Sequence, residues 1–216
     1  NRFINGYGLS AAIVAQACEL QIKPDMIITV DNGISSIEGV AYAKSQGIDV
    51  IITDHHLPGD SLPDADVIIN PQCCPDSFAS TALAGVGVAF YLCLGLRSYM
   101  HEQGCFSTMG ISYPNLVSLL DLVAVGTIAD LVPLDKNNRI LAYQGLLRIR
   151  SGRCSDGIKA LLSLAKVEIS TVSAEDIAFR VAPKLNAAGR MDDMHIGVAC
   201  LLSDDTKLAY SYANTL

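Results

Sequence analysis

No apolar run in this 216-residue chain is long enough to cross a bilayer. Met26–Val30, Val50–Ile52 and Val67–Ile69 fall far short of the roughly 20 residues a spanning helix needs. No basic, apolar, small-residue leader opens the chain, which argues against a signal peptide. The seven cysteines (Cys18, Cys73, Cys74, Cys93, Cys105, Cys154 and Cys200) include no C-x-x-C pair, and no Cys/His pair stands at zinc-finger spacing. Their count is odd, and a bridge between vicinal Cys73 and Cys74 would close a strained ring, so the expectation is free thiols in a reducing cytoplasm. Internal repeats and low-complexity segments are absent. Basic residues are few: 15 Lys and Arg against 22 Asp and Glu give a net charge of −7. That balance counts against a broad nucleic-acid surface, which needs clustered Lys and Arg, and suits carboxylates gathered around divalent cations.

What is present is a core. Half of the residues are hydrophobic and only 17% are charged, so the chain can bury one sizeable domain, or one domain and part of another. Asn1 is not a methionine, and the first residues read like the middle of a domain; the expectation is a piece of a longer protein.

The first 70 residues alternate helix and strand. Leu9, Ile13, Val14, Ala17 and Leu20 recur at helical spacing behind a candidate N-cap, Ser10. Strands are expected over Met26–Val30, Val50–Thr53 and Val67–Ile69, with a helix from about Ser35 to Gly47 between the first two. Consecutive apolar residues fit strands buried on both faces, as in a parallel sheet covered by helices. Beyond Pro71 the pattern turns helical, over Thr81–Tyr99, Asn115–Val125, Asn138–Arg150, Asp156–Ala165, Ala174–Leu185 and much of Gly197–Ala213, with breaks that include Pro183. The predicted fold is α/β: a parallel sheet flanked by helices over residues 1–70, continuing into a mainly helical half over 71–216. A boundary near residues 71–80 would separate layers of one domain.

Two acidic residues stand at successive strand ends. Asp31 follows the first strand in Val30-Asp31-Asn32-Gly33-Ile34, and Asp54 follows the second in Thr53-Asp54-His55-His56. Their separation, 54 − 31 = 23 residues, is about one strand–helix unit. Parallel strands would bring both to the carboxyl edge of one sheet, where open α/β folds hold ligands. Asp31-Asn32-Gly33 could instead be a turn in which Asp31 or Asn32 caps the next helix, and His55-His56 a surface pair. The combination, in a chain with four histidines, favours a metal or phosphate site. Carboxylate and imidazole without thiolate suit Mn²⁺, Mg²⁺ or Fe²⁺, less often Zn²⁺. Asp130, in the apolar Thr127–Pro133 stretch, is a further candidate ligand or a helix-end acceptor, and burial is expected for it. Asp121 is a weaker candidate. Gly85-x-Gly87 lacks the third glycine of a dinucleotide loop and reads as a close approach of helix to sheet.

Three of these stretches, Val30–Ile34, Asp54–His56 and Thr127–Asp130, resemble motifs II, III and IV of the DHH phosphoesterase superfamily. Asn1-Arg2-Phe3 with Gly6–Leu9, then Leu83–Phe90, then Leu185-Asn186-Ala187-Ala188-Gly189-Arg190, are similar to the RecJ family within it. The likeness runs from Asn1 to about Asp205. It implies that Asp31, His55 and Asp130 are metal ligands of a two-metal Mn²⁺ or Mg²⁺ site. Asp54 would orient or supplement that shell, and His56 would contact the scissile phosphate or act in acid–base chemistry. Arg190, Asn186 and Arg2 would bind substrate, Arg2 at a 5′-terminal phosphate. The resemblance further implies 5′-to-3′ hydrolysis of single-stranded DNA in repair and recombination. It also implies cytoplasmic partners in a single-stranded-DNA-binding protein and a recombination helicase. The superfamily's first metal motif and the downstream domains are expected outside this chain, leaving its own site incomplete.

Overall fold

The computed structural model describes residues 8–73, 78–188 and 194–216, with the backbone alone for Ala188. The chain divides into two compact units, residues 1–89 and 90–216.

The first unit is a three-stranded parallel sheet. Helix α1 (Ala11–Cys18) begins behind Ser10, whose hydroxyl accepts the Ile13 N–H and so satisfies one orphan donor of the first turn. Strand β1 (Met26–Val30), helix α2 (Ile37–Ser45), strand β2 (Asp49–Thr53) and strand β3 (Val67–Ile69) follow. The order is β1-β2-β3, with Ile27 opposite Val50, Thr29 opposite Ile52 and Ile51 opposite Val67. Leu9, Val14, Val40, Ala43, Ile48, Val50 and Ile52 form its core, with Ile27 packed against them, so both helices cover one face of the sheet.

The other face departs from the expectation of strands buried on both sides. Met26, Ile28, Val30 and Val67 are all exposed. Their alternation with the inward residues of β1 follows from the two-residue period of a strand.

Helix α2 meets the segment leading into α1 at Gly39. A Cβ there would overlap the Leu9 carbonyl, lying 2.7 Å from its carbon and on top of its oxygen. Backbone cannot step aside as a side-chain tip can. Gly39→Ala should therefore destabilise the protein by about 1–3 kcal/mol, despite alanine's better helix propensity. A urea titration with an unchanged midpoint would contradict this packing.

The second unit is helical. Helix α3 (Gly85–Glu102) runs across the division at residues 89 and 90; α4 (Cys105–Met109), a 3₁₀ turn (Leu116–Leu119), α5 (Leu120–Ala129), α6 (Lys136–Arg150) and α7 (Asp156–Leu164) follow. Val125, Ile128, Leu146, Ile149, Ile158, Leu161, Ile177 and Val181 contribute to its core. Asp135 caps α6 two residues earlier than the sequence suggested, its carboxylate accepting the Asn138 N–H at 2.8 Å.

Two expected helices are subdivided. Residues 174–188 form a short α8 (Ala174–Asp176) behind a Ser173/Asp176 capping box, a π turn (Ile177–Val181), then α9 (Ala182–Ala188). Pro183 thus lies inside helix rather than breaking it. The wider π turn ahead of it removes the close carbonyl that a proline ring would meet in a regular helix. The last segment divides at Ser203 into α10 (His195–Leu202) and α11 (Thr206–Thr215), the latter capped by Asp205. Among the described residues no helix is long and apolar enough to cross a membrane, and Cys18, Cys93, Cys105, Cys154 and Cys200 are free thiols. Burial, with Asp121 nearby, pushes the Cys154 thiol up to about 11, so it is no nucleophile at neutral pH.

Candidate metal centre

The candidate site of the first unit is made by two loops at the carboxyl ends of β1 and β2. The Asp31 N–H donates to the Thr53 carbonyl at 3.0 Å, and the Asp54 N–H to the Ile69 carbonyl at 3.1 Å. Both residues thus stay tied to the neighbouring strand just past the point where their own strand ends. Thr53 Oγ1 donates to the Thr29 carbonyl at 2.7 Å, and Thr29 Oγ1 to the Asn32 carbonyl at 2.6 Å, fastening the strand ends and the turn together. Asp31 takes the left-handed conformation, with φ of 63°, which aspartate tolerates better than most residues.

Neither Asp31 nor Asn32 caps the following helix. The N-cap of α2 is Ser36, and Ser36 Oγ accepts the Leu9 N–H instead. The Asn32 amide donates back to the Val30 carbonyl at 2.8 Å.

Asp31, His55 and His56 present ligand atoms that all lie within 4.8 Å of one another. His55 Nε2 is 3.1 Å from Asp31 Oδ1. Neighbouring ligand atoms on an octahedral ion with bonds of about 2.1 Å stand about 3 Å apart, so this pair already has the spacing of two ligands on one ion. The donor set is carboxylate oxygen plus imidazole without thiolate, which suits Mn²⁺, Mg²⁺ or Fe²⁺ and less often Zn²⁺.

Asp54 has a different part. Its side chain is 1% exposed, and both oxygens are engaged. Oδ1 accepts the His55 N–H at 2.8 Å and the His56 N–H at 3.2 Å, and lies 2.7 Å from His56 Nδ1; Oδ2 accepts the Ile34 N–H at 3.0 Å. Burial pushes its pKa up, but the hydrogen bonds from Ile34, His56 and His55 outweigh burial and hold the carboxyl below its ordinary value. A buried carboxylate so surrounded is a positioning group. It takes the Nδ1 side of His56 and leaves Nε2 as the atom that ring offers outward. The two imidazoles stand 4.4 Å apart, centre to centre.

Of the other predicted site residues, Asp130, Asp121 and Asn186 belong to the second unit, and two are beyond description. Asp130, in the second unit, is exposed rather than buried. It is the C-cap of α5, and Leu131 after it turns left-handed with φ of 57°. Asp121 is 2% exposed and accepts the Ser155 N–H at 2.8 Å, a joint between α5 and the start of α7. Asn186 lies exposed on α9. Arg2 and Arg190 fall outside the described residues.

One residue the sequence reading passed over is Asn70, 6% exposed at the end of β3. Its amide donates to the His56 carbonyl at 2.9 Å and its carbonyl accepts the Gln72 N–H at 2.9 Å, pinning the loop that carries both histidines. The signal was available: Asn70 follows the third strand as Asp31 and Asp54 follow the first and second.

Residues 3–127 match the N-terminal domain of the DHH family. The chain belongs to the DHH family. It is 56% identical over its whole length to the single-stranded-DNA-specific exonuclease RecJ of Escherichia coli, covering 37% of that protein. It is 34% identical to RecJ of Thermus thermophilus, again over its whole length and covering 29% of that protein. Among solved structures, an exonuclease RecJ bound to manganese superposes with a TM-score of 0.80 at 33% identity, over 99% of this DHH chain and 50% of that one. RecJ of Thermus thermophilus with Mn²⁺ gives 0.77 at 32% identity, over 95% of this chain and 28% of that one. The DHH chain therefore spans little more than a third of the Escherichia coli relative's length.

Proposed function

We propose that the protein to which this chain belongs is a divalent-metal-dependent phosphodiesterase that degrades single-stranded DNA from its 5′ end. The observation that carries this reading is the convergence of Asp31, His55 and His56 at the edge of a parallel sheet. The E. coli relative, similar over the whole length of this chain, supports the choice of substrate. Asp31 and His55 would hold Mn²⁺ or Mg²⁺, and the family resemblance names Asp130 as a further ligand. Bound there, two such ions would acidify a water and neutralise charge on the phosphate during in-line displacement.

The chain's own residues do the rest. Asp54 fixes the His56 ring, and His56 Nε2 contacts the scissile phosphate or exchanges a proton with it. Arg190 and Asn186 grip the backbone of the strand, and Arg2 meets the 5′-terminal phosphate. Residues 1–216 form part of a DHH domain, with βα units over 1–70 and the helical part over 71–216. The first metal motif and further domains are supplied by other parts of the protein. The setting is cytoplasmic DNA repair and recombination, with a single-stranded-DNA-binding protein and a recombination helicase as partners.

The test is a substrate panel on the complete protein with Mn²⁺. Mononucleotide release from 5′-phosphorylated single strands is expected to exceed release from duplex DNA and from dinucleotides by at least about 100-fold, and to stop on chelation. Equal or better cleavage of dinucleotides, cyclic dinucleotides or pyrophosphate would instead make it a small-nucleotide phosphoesterase of the same family.

A further inference from the structure

We infer that Gly85 sets the position of the Asp31 carboxylate, and through it the affinity of the site for its metal; the inference rests on the reading of Asp31 as a ligand. Helix α3 starts at Gly85, directly against that carboxylate. A Cβ at residue 85 would lie 2.6 Å from Asp31 Cγ and 2.7 Å from Asp31 Cβ, and closest of all to Oδ1. Real Cβ atoms do not approach other heavy atoms so nearly, so the carboxylate would have to move.

It has little freedom to do so harmlessly. The Asp31 backbone is held by its N–H bond to Thr53 and by a left-handed φ of 63°. The atom that a methyl group displaces is Oδ1, the oxygen 3.1 Å from His55 Nε2. A shift of several tenths of an ångström would separate the two ligand atoms whose spacing suits a shared ion. Gly85 is thus a positioning residue that acts by leaving space. The glycine has a second, purely structural use, the tight start of a helix, and that use predicts a different result. Alanine in a helix is the better former by about 1 kcal/mol, so a structural role alone would alter folding stability and leave metal affinity untouched.

Gly87 is the internal control. It lies in the same first turn, gains the same helix propensity from alanine, and the three atoms nearest a Cβ there all belong to the Leu83 side chain, the closest a terminal methyl at 3.0 Å. In the complete protein, Gly85→Ala should weaken Mn²⁺ binding, measured by calorimetry, by about 10- to 100-fold. Gly87→Ala should stay within about twofold of the unaltered protein. The Mn²⁺ concentration for half-maximal nucleotide release should rise in step with the dissociation constant, while the rate at saturating Mn²⁺ is largely recovered.

Metal-free melting adds a reading that survives poor folding. Any loss caused by Gly85→Ala should vanish in an Asp31→Gly background, where the colliding side chain is gone and φ of 63° suits glycine. Unchanged Mn²⁺ affinity in Gly85→Ala, equal losses in both alanine variants, or a melting penalty that persists without the Asp31 side chain would each overturn the inference. So would unchanged affinity in Asp31→Ala. Weakened Mn²⁺ binding in a protein that degrades no DNA would support the role of Gly85 and reject the nuclease reading alone.

Discussion

Asp31→Asn in the complete protein should reduce Mn²⁺-dependent nucleotide release by at least about 100-fold, because residues that merely support a metal ligand already cost 10- to 100-fold when lost. Asparagine is the sharper probe than alanine here. It preserves side-chain volume against Gly85 and tolerates the left-handed φ of 63°, so the change removes charge and little else. Alanine would add backbone strain of roughly 1 kcal/mol at that φ, mixing a folding defect into the kinetics. Calorimetry with Mn²⁺ supplies the companion reading. Both affinity and rate should fall, and raising Mn²⁺ should recover only part of the rate. A variant within threefold of the unaltered protein at all Mn²⁺ concentrations would remove Asp31 from the site.

Asp54→Ala should be the most damaging change to the fold of the first unit, at about 3–5 kcal/mol. Truncation leaves the Ile34, His55 and His56 amides without the carboxylate they point at, in a place 1% exposed. Asp54→Asn keeps the volume but turns an amide NH₂ toward donors on at least one side, so a large part of the loss should persist. The pH dependence has a definite sign. The folded-state pKa of Asp54 is depressed, so its contribution is complete above the ordinary carboxylate value of about 4 and is lost as pH falls through the lower folded value. Urea midpoints measured from pH 7 to pH 3 should therefore decline more steeply for the unaltered protein than for Asp54→Asn. Parallel curves for the two would mean that this carboxylate is not selectively stabilised in the folded state.

Much of the architecture was legible from residue pattern. Met26–Val30 and Val67–Ile69 are strands within the residues expected, and Ser10 caps the first helix, because short β-branched runs and a hydroxyl before a periodic apolar stretch act locally. The juxtaposition of Asp31 with His55 also followed from local logic, since two successive parallel strands bring their ends to one edge. What pattern could not convey was which atoms face which. The engagement of both Asp54 oxygens depends on the Ile34 amide, which arrives from 20 residues away. The exposed row Met26, Ile28 and Val30 reads as buried in sequence, because apolar strand residues look alike whether or not a helix lies over them. Exposure of Asp130 was missed for the related reason that apolar neighbours along a helix do not fix which side of it meets solvent. Pro183 failed as a stop signal because the π turn before it belongs to tertiary packing around Ile177 and Val181.

The backbone bonds Asp31 N–H to Thr53 and Asp54 N–H to Ile69 have a bearing on motion. Each residue at the heart of the site is also the last rung of a sheet ladder, so it cannot swing away without unzipping the end of a strand. Amide exchange at residues 31 and 54 should therefore be as slow as in the middle of β2, and not as fast as in ordinary loops. A centre anchored in this way is preorganised: a metal entering it meets ligands whose ordering entropy was already spent when the sheet formed.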